Sequence, residues 1–255
     1  MKPLPQTPSF RLDGRRALVT GAGRGIGQAA AVALATAGAH VTLAARTAAE
    51  LDLLCESLRA QGLSADTMVL DVLDVEQASM RIRSSEPFDI LLNNAGTNRP
   101  MPMVAVTIDD FDAVIGLNVR AAFFVVQTVA KRLMEANRSG SIINMSSQMG
   151  HVGGARRSIY CASKWAIEGF SRSAAVEFAP HGVRVNTLCP TFIETPMTRP
   201  FFADPDFKAD VLSRIKLGRV GTVEDLMGAI VFLASDASAL MTGSSLIVDG
   251  GWTAD

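Results

Sequence analysis

The sequence predicts a single α/β domain in which helices cover both faces of a doubly wound, parallel, seven-stranded sheet. Short apolar runs alternate with longer helical stretches, and the runs lack a polar face, as expected for parallel strands buried on both sides. The chain shows no linker, low-complexity segment or internal repeat. With 255 residues, of which 48% are hydrophobic and 19% charged, it is long and apolar enough to bury one large core.

Each element follows from a local pattern. The Asp13-Gly14 turn leads into the first strand, and Thr107 and Thr222, each followed by acidic residues, have the character of helix N-caps. In chain order, the predicted strands are 16–20, 40–46, 68–70, 89–92, 141–145, 183–188 and 245–248. The predicted helices are 26–37, 48–60, 75–85, 107–136, 159–178 and one that begins at Thr222.

Charge and cysteine content exclude several functional classes. The 24 basic and 25 acidic residues give a net charge of −1, so neither nucleic acid nor an anionic membrane is an expected partner. No apolar run reaches the roughly 18 residues of a membrane span. The three cysteines lack zinc-type or C-x-x-C spacing, so we expect no metal and a reducing, cytoplasmic setting. Residues 1–9, which are polar and proline-rich, are expected to form an extended arm before the domain at 10–255.

One irregular stretch interrupts the alternation after the sixth strand. Residues 191–217 combine three prolines with the aromatic residues Phe192, Phe201, Phe202 and Phe207. Ligands bind outside the carboxyl ends of the strands in such folds, so we expect this segment to form a substrate lid. A well-packed surface loop is the alternative interpretation.

A glycine-rich loop follows the first strand and opens the first helix. Its sequence is Thr20-Gly21-Ala22-Gly23-Arg24-Gly25-Ile26-Gly27. Glycines at such a turn let the main chain approach a pyrophosphate, whose negative charge then lies at a helix N-terminus. The strand–turn–helix context favours nucleotide binding over a purely structural turn.

The T-G-x-x-x-G-x-G spacing of this loop resembles the short-chain dehydrogenase/reductase family, and the resemblance extends from about residue 10 to the C-terminus. The further family-like motifs are Asn93-Asn94-Ala95-Gly96, Asn118, Ser147, Tyr160-Cys161-Ala162-Ser163-Lys164 and Val248-Asp249-Gly250-Gly251. Each motif alone is unspecific, but their order and separations together indicate the family. The resemblance implies a Rossmann-like fold and an oxidoreductase that acts on a secondary alcohol or a ketone.

The catalytic candidates are Asn118, Ser147, Tyr160 and Lys164. Tyr160 and Lys164 are four residues apart and share a helix face, where an ammonium group can lower the pKa of a phenol. Ser147 can hydrogen-bond the substrate oxygen, whereas its competitor Ser146 faces the other side by strand alternation. The resemblance implies that Tyr160 exchanges the proton and that Lys164 binds the nicotinamide ribose. It also implies that Asn118 holds a relay water, with a bond to a main-chain carbonyl as the alternative.

The expected cofactor is NADP(H), with NAD(H) as the alternative. An acid about 20 residues past the glycines normally binds the adenine ribose of NAD, but here the second strand ends in Arg46, which with Arg24 can pair with a 2′-phosphate. The nearest acid, Glu50, is expected inside the following helix. The predicted cofactor-binding residues are Gly21, Arg24, Gly25, Ile26, Gly27, Arg46, Asp71, Val72, Asn94, Ala95, Gly96, Tyr160, Lys164, Pro190, Ile193 and Thr195.

The segment 148–157 follows the catalytic serine and is expected at the pocket mouth. Its polar groups are Gln148, His151, Arg156 and Arg157. They favour a small polar substrate such as a sugar, polyol, sugar acid or 3-oxoacyl thioester, while solvation of the arginines is the alternative. Thr191 stands where the family usually has glycine after the proline. The substrate-binding candidates are therefore Gln148, His151 and Thr191.

Two other functional classes stay open at this point. A non-catalytic NADP-sensing protein or a purely structural oligomer subunit would have no need for Tyr160 beside Lys164, so the retained catalytic set favours an enzyme. An NAD-dependent alcohol or polyol dehydrogenase is the nearer alternative. The family usually forms homotetramers or homodimers through two central helices and the last strand, and the apolar segments 121–129 and 163–178 are compatible with such an assembly.

Overall fold

The computed structural model describes residues 4–254 and confirms the predicted parallel sheet. Its strands are β1 (Arg16–Thr20), β2 (His40–Ala45), β3 (Ala65–Val69), β4 (Ile90–Asn93), β5 (Gly140–Met145), β6 (Val183–Pro190) and β7 (Ser245–Val248). They pair in parallel in the order β3-β2-β1-β4-β5-β6-β7. The helices are α1 (Gly25–Thr36), α2 (Ala48–Ala60), α3 (Val75–Ser84), α4 (Ile108–Ile115), α5 (Ala122–Glu135), α6 (Ser158–Phe178), α7 (Pro205–Arg214) and α8 (Glu224–Ala234).

Two apolar cores lie on opposite faces of the sheet. Side chains alternate along β4, so that Leu92 packs into the core that contains α1, α2 and α8, while Leu91 packs into the core that contains α3, α5 and α6. Both leucines are fully buried. This two-sided burial explains why the inner strands carry no polar face.

The edge strand β3 departs from the prediction. It begins at Ala65, three residues earlier than expected, and it combines the buried Ala65 and Met68 with the exposed Thr67 and Val69, the latter 44% exposed. β3 pairs only with β2, and α2 packs against it. We expected every strand to lack a polar face. This prediction is wrong for the edge strand β3, because one of its faces meets solvent.

The long helix predicted at 107–136 is continuous but changes its pitch. Thr107 caps α4 by accepting a hydrogen bond from the Asp110 main-chain N–H at 3.1 Å. One turn of π-helix, Gly116–Ala121, then joins α4 to α5. Within the stretch Ile108–Glu135, an 18-residue window has a mean hydropathy of 1.6, which meets the criterion for a membrane span by length and composition. Half of that apolar window is buried inside the protein, and the core helix of a soluble fold passes the same test.

The segment 191–217 is less irregular than predicted, because it contains α7. Asp204 caps this helix, because its side chain accepts hydrogen bonds from the main-chain N–H groups of Asp206 and Phe207. Pro205 occupies the first turn of the helix. An aromatic cluster ties the segment to the C-terminal residues of the chain. Its members are Phe192, Phe201, Phe202, Phe207 and Trp252, with ring centroids 5.6–6.2 Å apart.

The predicted N-terminal arm is described only in part. Residues 1–3 lie outside the described residues. Residues 4–9 are exposed and belong to no helix or strand. Phe10 then packs on Phe232 of α8 with ring centroids 6.3 Å apart, and Leu12 is buried, so the domain begins there.

Candidate active site

The glycine loop lies where the strand order reverses, between β1 and β4, at the carboxyl ends of the strands. Gly21 and Gly25 adopt left-handed φ values of +66° and +58°, which glycine tolerates without strain. A Cβ at Gly27 would collide with the main-chain oxygen of Gly21. The N-cap Arg24 gives α1 no side-chain cap, so the N-terminal N–H groups of α1 stay available to an anion.

Two polar side chains hold the loop against the end of β4. The Thr20 hydroxyl accepts hydrogen bonds from the main-chain N–H groups of Asn94 and Ala95, at 2.9 and 3.1 Å. In return, the Asn94 amide donates to the main-chain oxygens of Thr20 and Gly21, at 3.0 and 3.3 Å. The motif after β4 therefore shapes the glycine loop directly. Thr20 was not among the predicted site residues, although it is the first residue of the loop motif.

A groove of about 270 Å³ runs beside this loop. It brings together eleven of the predicted cofactor residues, namely Gly21, Arg24, Gly25, Ile26, Arg46, Asp71, Val72, Asn94, Ala95, Gly96 and Thr195. Gly27 is buried behind the loop and does not line the groove. The groove also has lining residues that the sequence prediction missed, among them Leu117 and Met197.

The groove carries two free guanidinium groups at its β2 end. Arg24 and Arg46 are exposed, and neither makes a hydrogen bond or ion pair with its side chain within residues 4–254. Glu50 lines the same groove from the first turn of α2, although it was expected only as a helix residue. Its carboxylate lies against Gly23, where a Cβ would be 2.5 Å from Oε2. The groove is thus lined by two cations, Arg24 and Arg46, and two acids, Glu50 and Asp71.

A second pocket of about 150 Å³ adjoins the groove, and the two share Ile26, Asn94, Gly96, Thr195 and Met197. It contains three of the predicted catalytic residues, Ser147, Tyr160 and Lys164. The remaining predicted residues that line it are Gln148, Pro190, Thr191 and Ile193. The predicted cofactor and catalytic residues therefore meet in one continuous cleft.

Tyr160 and Lys164 lie one turn apart on α6. The Lys164 ammonium donates a 2.7 Å hydrogen bond to the Met145 main-chain oxygen and lies 5.5 Å from the centre of the Tyr160 ring. Burial lowers the pKa of Lys164 to about 8. Burial also raises the pKa of Tyr160, and the opposing effects of the Ser147 hydroxyl and the Arg157 charge do not reverse it. The expected lowering of the phenol pKa by Lys164 is thus not found in this structure.

Ser147 faces the pocket, as expected. Its hydroxyl donates to Gln148 Oε1 at 2.7 Å and accepts from the Met149 main-chain N–H at 3.2 Å. Thr191 also lines this pocket, and its Oγ1 is buried without a hydrogen-bond partner within residues 4–254. Most buried hydroxyl groups in proteins have such a partner.

Asn118 occupies the π-helical turn and lies outside the pocket lining. Its Oδ1 accepts from the Thr97 main-chain N–H at 2.8 Å, and its Nδ2 donates to the Thr97 oxygen and to Ser163 Oγ at 2.9 and 3.1 Å. The bond to a main-chain carbonyl, given as an alternative to a water site, is therefore present. Asn118 therefore joins the loop after β4 to helix α6, which it contacts at Ser163, one residue before Lys164.

His151 does not line the catalytic pocket, so the structure does not bring it together with the other predicted substrate-binding residues. Its Nε2 lies 3.4 Å from Cys189 Sγ and 3.7 Å from Glu168 Oε1, behind the catalytic serine. These three side chains are of types that can bind a metal ion, and their potential ligand atoms lie within 4.8 Å of one another. Their separation in the sequence did not indicate this cluster. The Glu168 carboxylate accepts hydrogen bonds from Thr187, Ser245 and Cys189, which account for its burial.

Ser146 lies beside the same network. Burial favours a higher pKa for Glu168, but its hydrogen-bond donors, among them Ser245, Cys189 and Thr187, outweigh it and hold the pKa below its ordinary value. The Ser146 Oγ makes no hydrogen bond within residues 4–254, and a Cβ at Gly150 would lie 2.9 Å from it and 3.1 Å from Glu168 Cγ. Burial, reinforced by the Glu168 charge, raises the pKa of the Cys189 thiol to about 12, so Cys189 stays protonated.

Arg157 was named as a pocket-mouth residue but was not chosen as a substrate contact. It is buried and lines the catalytic pocket, with its guanidinium carbon 5.4 Å from the ring centres of both Phe192 and Phe201. Burial lowers its pKa. The neighbouring Arg156 is exposed, and its left-handed φ of +60° marks the turn that separates the two side chains.

Comparisons with known proteins agree with this geometry. A family model described as Enoyl-(Acyl carrier protein) reductase matches residues 21–253. D-erythrulose reductase of Gallus gallus is 41% identical over 96% of this chain and 98% of its own. Gluconate 5-dehydrogenase of Gluconobacter oxydans is 40% identical over 96% of each chain. A crystal structure of a gluconate 5-dehydrogenase from Burkholderia cenocepacia, in complex with NADP and tartrate, superposes with a TM-score of 0.93 at 37% identity, covering 96% and 98% of the two chains.

The fold, the glycine loop and the catalytic pocket define an oxidoreductase of the doubly wound type. The chain belongs to the short-chain dehydrogenase/reductase family. Its relatives are dehydrogenases and reductases that act on alcohol or carbonyl groups.

Proposed function

We propose that this protein is an NADP(H)-dependent oxidoreductase that interconverts a secondary alcohol and a ketone in a small polar substrate. The observation that carries the proposal is the position of Ser147, Tyr160 and Lys164 in a pocket that opens into the glycine-loop groove. Sugars, polyols, sugar acids and 3-oxoacyl thioesters are the substrate classes that the pocket chemistry suits. The reductase and dehydrogenase relatives favour sugars and sugar acids among them.

The catalytic roles follow from the side chains that line the pocket. NADP(H) supplies or accepts the hydride when it is bound. In reduction, the Tyr160 hydroxyl donates its proton to the carbonyl oxygen, and in oxidation the phenolate removes the proton from the alcohol. The Ser147 hydroxyl gives up its hydrogen bond to Gln148 and instead orients the reacting oxygen of the substrate. The Lys164 ammonium would hold the cofactor ribose and stabilise the Tyr160 phenolate. It would therefore lower the pKa of Tyr160 only when cofactor and substrate are bound.

Asn118 and Thr191 have supporting roles in this proposal. Asn118 shapes the π-helical turn, from which a relay water can connect Lys164 to solvent. Thr191 and Gln148 hydrogen-bond the substrate through a buried hydroxyl and a side-chain amide.

The groove fits NADP(H) better than NAD(H). Arg24 and Arg46 offer two unpaired guanidinium groups for a 2′-phosphate, and the residue at the end of β2 is Arg46 rather than an acid. NADP is the cofactor bound by the gluconate 5-dehydrogenase structure. The loop main chain and the N-terminus of α1 would hold the pyrophosphate, with Asp71 and Val72 at the adenine. A higher kcat/KM with NAD than with NADP would contradict this assignment.

The substitution Tyr160→Phe tests the mechanism. It removes the only phenol of the chain and leaves the ring in place, so we expect folded protein that binds NADPH and has lost about 10²–10⁴ in kcat. Turnover is measured by nicotinamide absorbance over a panel of ketoses, keto-acids and 3-oxoacyl thioesters, and NADPH binding by fluorescence. Phe178→Leu, a change on the same helix outside the pocket, is the control. Retained turnover in Tyr160→Phe excludes the mechanism, and absence of turnover in the wild type favours the NADP-sensing alternative.

Segment 191–217 acts as the substrate lid in this proposal. Residues Thr191, Phe192, Thr198 and Phe201 line the catalytic pocket, while Thr195 and Met197 line both the pocket and the groove. The segment can therefore cover substrate and nicotinamide together and exclude water during hydride transfer.

We also propose a homotetramer or homodimer in the cytoplasm. Exposed apolar side chains lie on α5, α6 and β7, where Phe123, Trp165, Val176 and Ile247 are each at least 40% exposed. The three thiols are unpaired, which suits a reducing compartment. Subcellular fractionation checks the second point.

A further inference from the structure

The catalytic pocket contains a cation without a counter-ion. The Arg157 side chain is buried, yet within residues 4–254 it makes no ion pair, and its guanidinium donates no hydrogen bond. Its contacts are the faces of Phe192 and Phe201, each 5.4 Å away. Cation–π contacts offset part of the cost of burying a guanidinium, but they leave its N–H donors unused.

Arginines elsewhere in the protein show what a structural arginine looks like in this fold. The partly buried Arg184 donates to the main-chain oxygens of Leu233, Ser235 and Met241 and to the Ser238 hydroxyl, at 2.9–3.3 Å. Arg138 is paired with the buried Asp89. Arg157 differs from both, since no protein acceptor meets it and its open side is the pocket that holds Tyr160 and Ser147.

We propose that Arg157 binds the carboxylate of the substrate, so that the enzyme acts on sugar acids in preference to neutral ketoses and polyols. This inference rests on the proposed function. A carboxylate accepts two parallel hydrogen bonds from the N–H groups of a guanidinium. The rings of Phe192 and Phe201 fix the plane of the Arg157 guanidinium for such a contact. The partner of the buried charge is then the substrate itself. A neutral sugar would leave the cation unpaired, and a thioester offers no charge for it.

The remaining polar groups of the pocket complete the recognition of a polyhydroxy acid. The unpartnered Thr191 hydroxyl and the Gln148 amide are suited to substrate hydroxyl groups, while Ser147 and Tyr160 receive the reacting oxygen. The other cation of the pocket, Lys164, is held by the Met145 oxygen. One free guanidinium matches one carboxylate, whereas a phosphate dianion would call for a second cation.

Matched substrates test the proposal. The two members of each pair differ only at one end, where the acid has a carboxylate and the neutral sugar a hydroxymethyl group. The pairs are D-gluconate with D-glucitol and 5-keto-D-gluconate with L-sorbose, and shorter aldonate and alditol pairs extend the series. Initial rates with NADP⁺ or NADPH are compared in wild type, Arg157→Gln, Arg157→Lys and the exposed-neighbour control Arg156→Gln. Calorimetry measures binding of each aldonate and alditol to the enzyme–NADP⁺ complex, and thermal melting confirms that each variant folds.

We expect the wild type to prefer the acid of each pair. Arg157→Gln should weaken the acid by about 10- to 100-fold more than its neutral partner, mainly in KM, because only the acid loses a charged partner. Arg157→Lys should fall between the two, and Arg156→Gln should match the wild type. Equal loss for acid and neutral partner in Arg157→Gln, or a wild-type preference for neutral sugars or sugar phosphates, overturns the proposal.

The calorimetry separates this inference from the proposed function. Absence of turnover with every pair, with aldonate binding that is lost in Arg157→Gln, contradicts the proposed function and supports the carboxylate site. Turnover that depends on Tyr160, without any preference for acids, supports the function and overturns the carboxylate site. Absence of both turnover and aldonate binding overturns both.

Discussion

Lys164 lies in an environment that opposes its charge. The ammonium is buried, and a single main-chain oxygen, that of Met145, accepts its hydrogen bond. The pKa falls to about 8 from the ordinary 10.5 because burial outweighs the attraction of the Glu168 carboxylate. Charging Lys164 in the folded state is therefore a cost that the protein sustains for function.

We expect Lys164→Met to stabilise the fold while abolishing turnover. The free energy of unfolding at pH 7 should rise by about 1–3 kcal/mol, since the buried charge is removed and methionine fills similar space. The cost is present in full below pH 8 and is relieved as pH rises towards 10.5, because the folded state then binds fewer protons than the unfolded state. Urea denaturation at pH 7 and pH 10 measures both effects.

The exposed Lys131 on α5 provides the matched control. Its ion pair with Glu135 spans 3.9 Å at the surface, so Lys131→Met should change stability by no more than about 0.5 kcal/mol at either pH. A destabilised Lys164→Met, or a gain that is equal at both pH values, would contradict the electrostatic explanation.

Individual residues show where sequence reasoning reached its limit. Tyr160, Lys164 and Ser147 were predictable because the resemblance to the short-chain dehydrogenase/reductase family extends to these positions, and the helical spacing of Tyr160 and Lys164 agrees with it. Arg156 and Arg157 are equivalent in the sequence, and only the left-handed turn at Arg156 decides which of them is buried. The position of His151 beside Glu168, after the single turn of 3₁₀-helix that follows Ser147, could likewise not be read from the sequence.

At the scale of elements, strands and helices were predictable where burial is uniform. All inner strands were located within about two residues, because two covered faces impose continuous apolar runs. The π-helical turn had no local signal, since contacts of Asn118 with Thr97 and Ser163 stabilise it. Helix α7 did have one, the Asp204-Pro205 start, but the aromatic and proline content was interpreted as a loop.

The glycine loop and α1 form a unit in which one methyl group is decisive. Gly27→Ala would place a Cβ against the Gly21 main-chain oxygen and 2.6 Å from Asn94 Nδ2. We expect loss of NADPH binding by at least about tenfold and destabilisation of about 1–3 kcal/mol, because the main chain has to move. Fluorescence titration and urea denaturation measure the two effects.

Gly228→Ala on α8 is the control for this substitution. A Cβ at Gly228 meets no atom within 4 Å, so alanine should stabilise the helix by about 0.5–1 kcal/mol and leave cofactor binding unchanged. Unaltered NADPH affinity in Gly27→Ala would show that the loop does not approach the pyrophosphate closely.

At the scale of the whole molecule, the exposed apolar side chains of α5 and α6 call for a partner surface. Trp165 is 55% and Val176 77% exposed on α6, and Phe123 is 44% exposed on α5, where its ring packs on Phe170 of α6. Exposed apolar side chains on two helices that contact each other are a feature of subunit interfaces, so we expect a partner subunit to pack on this surface.

We expect sedimentation velocity to show a dimer or tetramer at micromolar concentration. Val176→Lys, which introduces a charge on the face, should shift the distribution towards smaller species, whereas Leu53→Lys on α2, an equally exposed site away from it, should not. A monomeric wild type would exclude the proposed assembly.

The packing of segment 191–217 on the C-terminus has an optical consequence. Trp252, one of two tryptophans in the chain, contacts Phe192 at 5.7 Å and lies under the Arg214 guanidinium of α7 at 5.6 Å. Phe192 in turn contacts Arg157 in the pocket. The proposed closure of this segment over substrate would therefore change the surroundings of an indole. We expect stopped-flow fluorescence of a Trp165→Phe variant to follow that closure without an added label, and an unchanged signal on substrate binding would contradict it.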